Sequence, residues 1–263
     1  MSILLTPSLQ KSLSKLQAPS SNDAGTALAI TAFIHQKTNE FKTLISQFEA
    51  NLEILELQKN RCADVIAILE EAGGLTIRAR NYVSTPEDAT KYRDKTQEME
   101  TLFKTALSKL DVYVPAATDN GINLLNGKTL ETKFDEKGDK TLITHGISLD
   151  SNALGIRQPD FSTMPNVQNA RIDVMNAIDM AVTLRNIISS DISAISTSLD
   201  FSKTTIENAN LAIQSLGTTL ITTESKNITD LANKKMEFDE PLAEPAQQDI
   251  LNSFAATPNM EGL

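Results

Sequence analysis

Apolar residues recur at every seventh position from Ala27 through Ile34, Phe41, Phe48, Leu55, Cys62 and Leu69. A looser companion row four residues on holds Ile45, Leu52 and Ile66, but also Lys59. Residues three and four apart share a helix face, so the pattern predicts a narrow apolar stripe on one long helix starting near Ala24. At about 1.5 Å per residue the stripe spans roughly 65 Å, too long to be buried without a partner helix of similar length. Pro19 breaks any helix before it, and Asn22 or Asp23 supplies a starting cap. Gly73-Gly74 predicts a kink or short break, after which the helix resumes to about Val83.

Further on, Ser84-Thr85-Pro86-Glu87 reads as a turn, with Thr85 as cap and Pro86 in the first helical turn. A second helix is expected over residues 87–113, with Tyr92, Met99, Leu102, Phe103, Ala106 and Leu110 on one face and Pro115 as its stop. Asn120-Gly121 and Asn126-Gly127 are turn dipeptides. Runs of β-forming residues at 129–134 and 141–149 flank a polar loop and predict one hairpin, followed by an extended connector over 150–165. The helical pattern returns from Val167 to about Leu231. Its seven-step row is Ile178, Arg185, Ile192, Leu199, Ile206, Ile213 and Leu220, beside Ile188, Ile195, Ala209 and Leu216. Antiparallel packing of the two long stripes buries both.

The expected fold is therefore mainly α, an elongated bundle of long antiparallel helices with a small β-hairpin in the middle of the chain. Residues 1–19 form a short N-terminal segment, with an amphipathic helix through Leu9, Leu13 and Leu16. Residues 20–231 form a helical rod domain with its hairpin at about 128–149. Residues 232–263 form a tail containing Pro241, Pro245 and Pro258, irregular apart from a short helix around 247–254.

Composition narrows the chemistry. Apolar residues make up 40% and aromatic ones 5%, with no Trp, which suits a thin bundle with little interior. The net charge of −10 divides as 0 over residues 1–85, −3 over 86–165 and −7 over 166–263. An acidic chain without a basic stripe is a poor partner for nucleic acid or anionic lipid. No apolar run is long enough to predict membrane insertion. No basic residue precedes Ile3-Leu4-Leu5, so a cleaved signal peptide is not expected. The single cysteine, Cys62, excludes an internal disulfide and lies on the stripe, where a core thiol is expected.

His35 and His145 have no Cys, His or Asp at ligand spacing, and both read as solvated. The pairs Glu53 with Glu56 and Glu70 with Glu71 read as exposed helix faces, not as acid–base pairs. The glycines form neither a dinucleotide loop nor a P-loop. Catalytic, cofactor-binding and metal sites are all expected to be absent, with no cofactor and no enzymatic activity. Ile34, Phe41, Phe48, Ile192, Leu199 and Ile206 are expected to pack.

Four segments, in order, resemble bacterial flagellins. Residues 20–30 resemble the serine-and-asparagine turn that leads through a "DAAG-LAI"-like run into the first long helix. Asp119-Asn120-Gly121-Ile122-Asn123-Leu124-Leu125 resembles the family's "FNGxxLL" turn, with Asp119 at the usual Phe. Ile147-Ser148-Leu149 and Leu154-Gly155-Ile156 resemble the end of the family's hairpin and its connector, and residues 200–206 resemble its return helix.

The resemblance implies a self-assembling structural subunit of the flagellar filament, working in cell motility. It implies other copies or other flagellins, an export chaperone and the flagellar export apparatus as partners. It also implies an extracellular place in the flagellum after export without a cleaved signal peptide, and the short connector at 150–165 implies that the variable outer surface domains of large flagellins are missing. The alternative reading is a non-polymerising homologue that binds or regulates flagellar assembly, or a hook–filament junction protein. The segment before Ser20 is shorter than the family's, and Pro241 and Pro245 fall where the family continues a helix. Glu71, Ala72 and Gly73 stand where many flagellins carry an arginine-bearing segment read by an innate immune receptor, so that recognition is not expected.

Overall fold

The computed structural model describes residues 24–135 and 138–238. The expectations for residues 1–23 and 239–263, including the starting cap and the two short terminal helices, lie outside the described residues. Helix α1 is Ala24–Arg80, α2 is Pro86–Lys91, α3 is Arg93–Ala116 and α4 is Met164–Phe238; strands β1, Thr129–Lys133, and β2, Thr141–His145, lie between α3 and α4. The described residues fall into two compact units, one of residues 33–208 and one of residues 24–32 with 209–238. The second contains only helical segments, with Leu28, Leu211 and Ile228 exposed.

Within residues 33–208 the two long helices run antiparallel. The Cβ position of Gly73 lies 3.5 Å from Val174 Cγ1, and Glu49 pairs with Lys203 at 2.9 Å. Positions early in α1 thus meet positions late in α4. Helix α3 also runs antiparallel to α1: Lys109 lies 3.9 Å from Glu71, and Tyr113 donates its phenol to Asp64. One continuous core runs through all three helices, from Phe48, Leu55 and Leu69 through Phe103 and Leu110 to Val174, Leu184 and Ile188.

Two partners make the buried face of α1 wider than the one predicted stripe. Ile54 and Leu55, Val65 and Ile66, and Ile68 and Leu69 are buried side by side. Adjacent residues point about 100° apart, so both flanks of α1 are covered there. Of the predicted packing residues, Ile34, Phe48 and Leu199 are buried, while Phe41, Ile192 and Ile206 are half-buried. On α4 the fully buried seven-step row is Val167, Val174, Ala181, Ile188, Ile195, Ser202 and Ala209, which extends the companion row through Ile188, Ile195 and Ala209 and is not the row through Ile178 and Arg185. Small residues on this row let the helices approach closely, which a search for large apolar residues overlooks. Toward the end of the pair the seam becomes polar. Thr38, Ser202 and Thr205 are buried, and Ser202 and Thr205 donate to the carbonyls of Ser198 and Phe201 on their own helix, each at 2.8 Å.

Local boundaries follow local chemistry. Helix α1 passes without a break through Gly73-Gly74 and ends at Arg80. Tertiary packing on Ala72 and Leu75 outweighs the glycine penalty of about 1 kcal/mol each. Thr85 caps α2 as predicted, accepting from the Asp88 N–H at 3.1 Å, with Pro86 as the first helical residue. The expected single second helix instead divides at Tyr92, whose ring packs on Tyr82 with 5.5 Å between centroids. Within α3, Leu102 is exposed and Leu107 takes its place in the core. Pro115 lies inside the last turn, one residue before the end.

The hairpin is antiparallel, with Leu130 opposite Thr144 and Thr132 opposite Leu142 on its inner face. That face sits on α1: Phe134 and Phe48 have ring centroids 5.5 Å apart, and Asn51 Nδ2 donates to Thr132 Oγ1 at 2.8 Å. The connector is pinned to α3, where Phe161 meets Phe103 edge-to-face and Glu100 accepts the Phe161 N–H at 2.6 Å.

Candidate functional site

The most developed polar arrangement lies where α1 meets the turn after α3. Gln58 is fully buried; its side-chain nitrogen, Nε2, donates to the Ala117 carbonyl at 3.0 Å and to Asp119 Oδ2 at 2.6 Å. Its Oε1 accepts the Leu124 N–H at 2.9 Å. Arg61 Nη2 donates to the other oxygen of Asp119 at 2.7 Å. Asp119 and Ile122 exchange two backbone bonds of 2.8 Å around Asn120-Gly121. Asn123 donates to the carbonyls of Val114 and Pro115, satisfying acceptors that the end of α3 leaves open. These bonds fix the turn against α1, while Arg61 Nη1 and Asn123 Oδ1 are buried there without a hydrogen-bond partner.

The same turn explains Gly146. A Cβ there would lie 2.4 Å from the carbonyl oxygens of both Leu124 and Lys128, so only glycine lets the strand end lie this close. Periodicity did not single out Gln58 or Asp119, because their partners are about sixty residues away in sequence. The one local signal is a polar Gln set between Leu55 and Cys62 on the buried side of α1.

The residues weighed for chemistry are dispersed. His35 and His145 are exposed, as are Glu53, Glu56, Glu70 and Glu71. Glu56 pairs with Lys59 and Glu71 with Lys109. Cys62 is buried, and burial pushes its thiol up to about 12, so it resists becoming the reactive thiolate. No group of three or more His, Cys, Asp or Glu among the described residues could hold a metal ion. A groove of about 430 Å³ between the start of α2 and the start of α4 is lined by Val83, Pro86, Ala89, Met164 and Pro165 with serines and threonines, and by no ionisable side chain. No helix of the described residues is long and apolar enough to cross a membrane.

A surface remains. On α4, Met180, Ile187 and Phe201 are exposed on one flank of the buried row, about 100° round the helix from it, Met175 is exposed on the other flank, and Ile172 lies nearly opposite. Ile172 is 53% and Phe201 45% exposed. Such a set has the character of a contact surface more than of a reaction centre.

The fold therefore defines a helical protein whose long antiparallel helices carry a small hairpin. No protein-family model matches this chain, and no curated protein matches it. Among solved structures it is similar to the flagellin of Bacillus cereus, with a TM-score of 0.48 and 15% sequence identity over 58% of this chain and 86% of that one.

Proposed function

We propose that this protein is a structural subunit of the bacterial flagellar filament, a flagellin-like chain that assembles through the outward faces of its long helices. The observation that carries the reading is the set of apolar residues Ile172, Met180, Ile187 and Phe201, exposed on α4 outside its buried row. Covering such area stabilises by about 25 cal/mol per Å², a gain open to these residues only on association. The four flagellin-like segments supply the family. Asp119–Gly127 forms the turn after α3, Leu149, Leu154 and Ile156 are buried, and residues 200–206 lie on α4.

In this reading residues 20–231 are the helical domain, residues 1–19 are a reduced inner-tube segment and residues 232–263 are a proline-containing tail. The partners are other copies or other flagellins, with an export chaperone and the export apparatus beforehand. The protein acts outside the cell, and it is not an enzyme.

The test adds purified full chain to sheared flagellar filaments and follows elongation by sedimentation and electron microscopy. The native chain is expected to elongate them. A chain carrying Ile187→Asp and Phe201→Asp is expected to keep its helical circular dichroism and fail to elongate. A native chain that stays a monomer and binds an export chaperone overturns this reading in favour of a non-polymerising regulatory homologue.

A further inference from the structure

Two Asn-Gly pairs lie within eight residues of each other, and the structure treats them differently. Asn126, like Asn120, is exposed but is hydrogen-bonded through both its backbone and its side chain. Its N–H donates to the Asn123 carbonyl at 3.2 Å, its Oδ1 accepts from Ser148 Oγ at 3.4 Å, and the Gly127 N–H donates to the Leu124 carbonyl at 3.4 Å. Asn120 and Gly121 are exposed at the tip of their turn, with φ of 47° and 81°. The paired bonds of that turn belong to Asp119 and Ile122. Among the described residues neither the Asn120 side chain nor the Gly121 N–H has a hydrogen-bond partner. A Cβ built on Gly121 would meet nothing within 4 Å, so the surrounding space is open.

We propose that Asn120 is a site of spontaneous self-modification, and that Asn126 is protected from the same reaction. The Gly121 backbone nitrogen, losing its proton to solvent, attacks the side-chain carbonyl carbon of Asn120. A carbon–nitrogen bond forms, the bond to the side-chain nitrogen breaks, and ammonia leaves. The five-membered succinimide then takes up one water at either carbonyl, giving aspartate or isoaspartate. No oxidant, reductant or cofactor is needed. Glycine is the most permissive following residue because no Cβ blocks the attacking nitrogen. The reaction requires the backbone to rotate out of the left-handed turn. At Asn120 no side-chain bond resists that rotation, whereas Asn126 must first release Ser148 and Leu124.

The product changes the junction behind the turn. Isoaspartate routes the main chain through the side-chain methylene and lengthens the turn by one atom. The Asp119–Ile122 pairing then no longer closes in its present form, and Asp119 loses the position from which it meets Gln58 and Arg61. Either product also places a new carboxylate next to Asp119.

The experiment incubates the full chain in mild alkali, then digests it and scores each Asn-Gly peptide by mass spectrometry for amide-to-acid conversion and for isoaspartate. Asn120 is expected to convert roughly tenfold faster than Asn126 in the folded protein, and the two at similar rates in concentrated urea. Ser148→Ala is expected to raise the Asn126 rate and leave the Asn120 rate unchanged. Equal conversion in the folded chain, faster conversion of Asn126, or an Asn120 that reacts only in urea overturns the proposal.

Discussion

Gln58 places one side-chain amide against three groups that the backbone and Asp119 leave open, so its value lies in what its loss exposes. Gln58→Leu keeps the volume but strands the Leu124 N–H and the Ala117 carbonyl away from water. At about 1–3 kcal/mol for each stranded group, the expected loss is about 3 kcal/mol, read from the urea midpoint of unfolding. Asp173 offers a second residue-level test. Two side-chain bonds from Arg157, each 2.8 Å, hold its carboxyl below the usual carboxylate range against the opposing effect of burial. A carboxyl with a lowered folded value stabilises the fold above its unfolded value of about 4, and that contribution fades as pH falls through the folded value. Melting temperature is therefore expected to drop on acidification below about pH 4. Asp173→Asn should lower it at neutral pH and flatten the acid limb, as followed by circular dichroism.

At the scale of elements, α1 shows how tertiary cover decides a boundary that local propensity misplaces. Gly74 sits in an unbroken helix with nothing within 4 Å of a built Cβ. Gly74→Ala is expected to stabilise by about 1 kcal/mol, measured by thermal or denaturant unfolding. A local break at this point in solution would instead make the substitution neutral or harmful. The two long stripes were legible in the sequence because their period persists over many turns. So were the Thr85 cap and the hairpin, whose signals are local. The seam of α4 was legible only in part: Ile188, Ile195 and Ala209 fell on the companion row, while Ala181 and Ser202 carry little apolar signal. The width of α1's buried face depends on a third helix at its flank, and the Gln58 junction on partners far along the chain. Neither leaves a periodic trace. Asp119 has its reason only in three dimensions, as the acceptor for Gln58 and Arg61.

For the whole molecule, an interior this thin leaves much apolar area at the surface, and its net charge of −10 opposes crowding of like copies. If copies associate through α4, screening by salt should speed elongation of filament seeds, because repulsion between exposed charges weakens within about 10 Å at 0.1 M. Elongation rates that fall with added salt would argue for a charge-paired contact instead. Thr38, Ser202 and Thr205 add a bias in how the pair of long helices comes apart. Ser202 and Thr205 keep their bonds to their own helix whether or not α1 is present. Parting the helices there strands no hydroxyl and gives up little grease, so unzipping begins at that end while the leucine-rich stretch beside α3 stays shut.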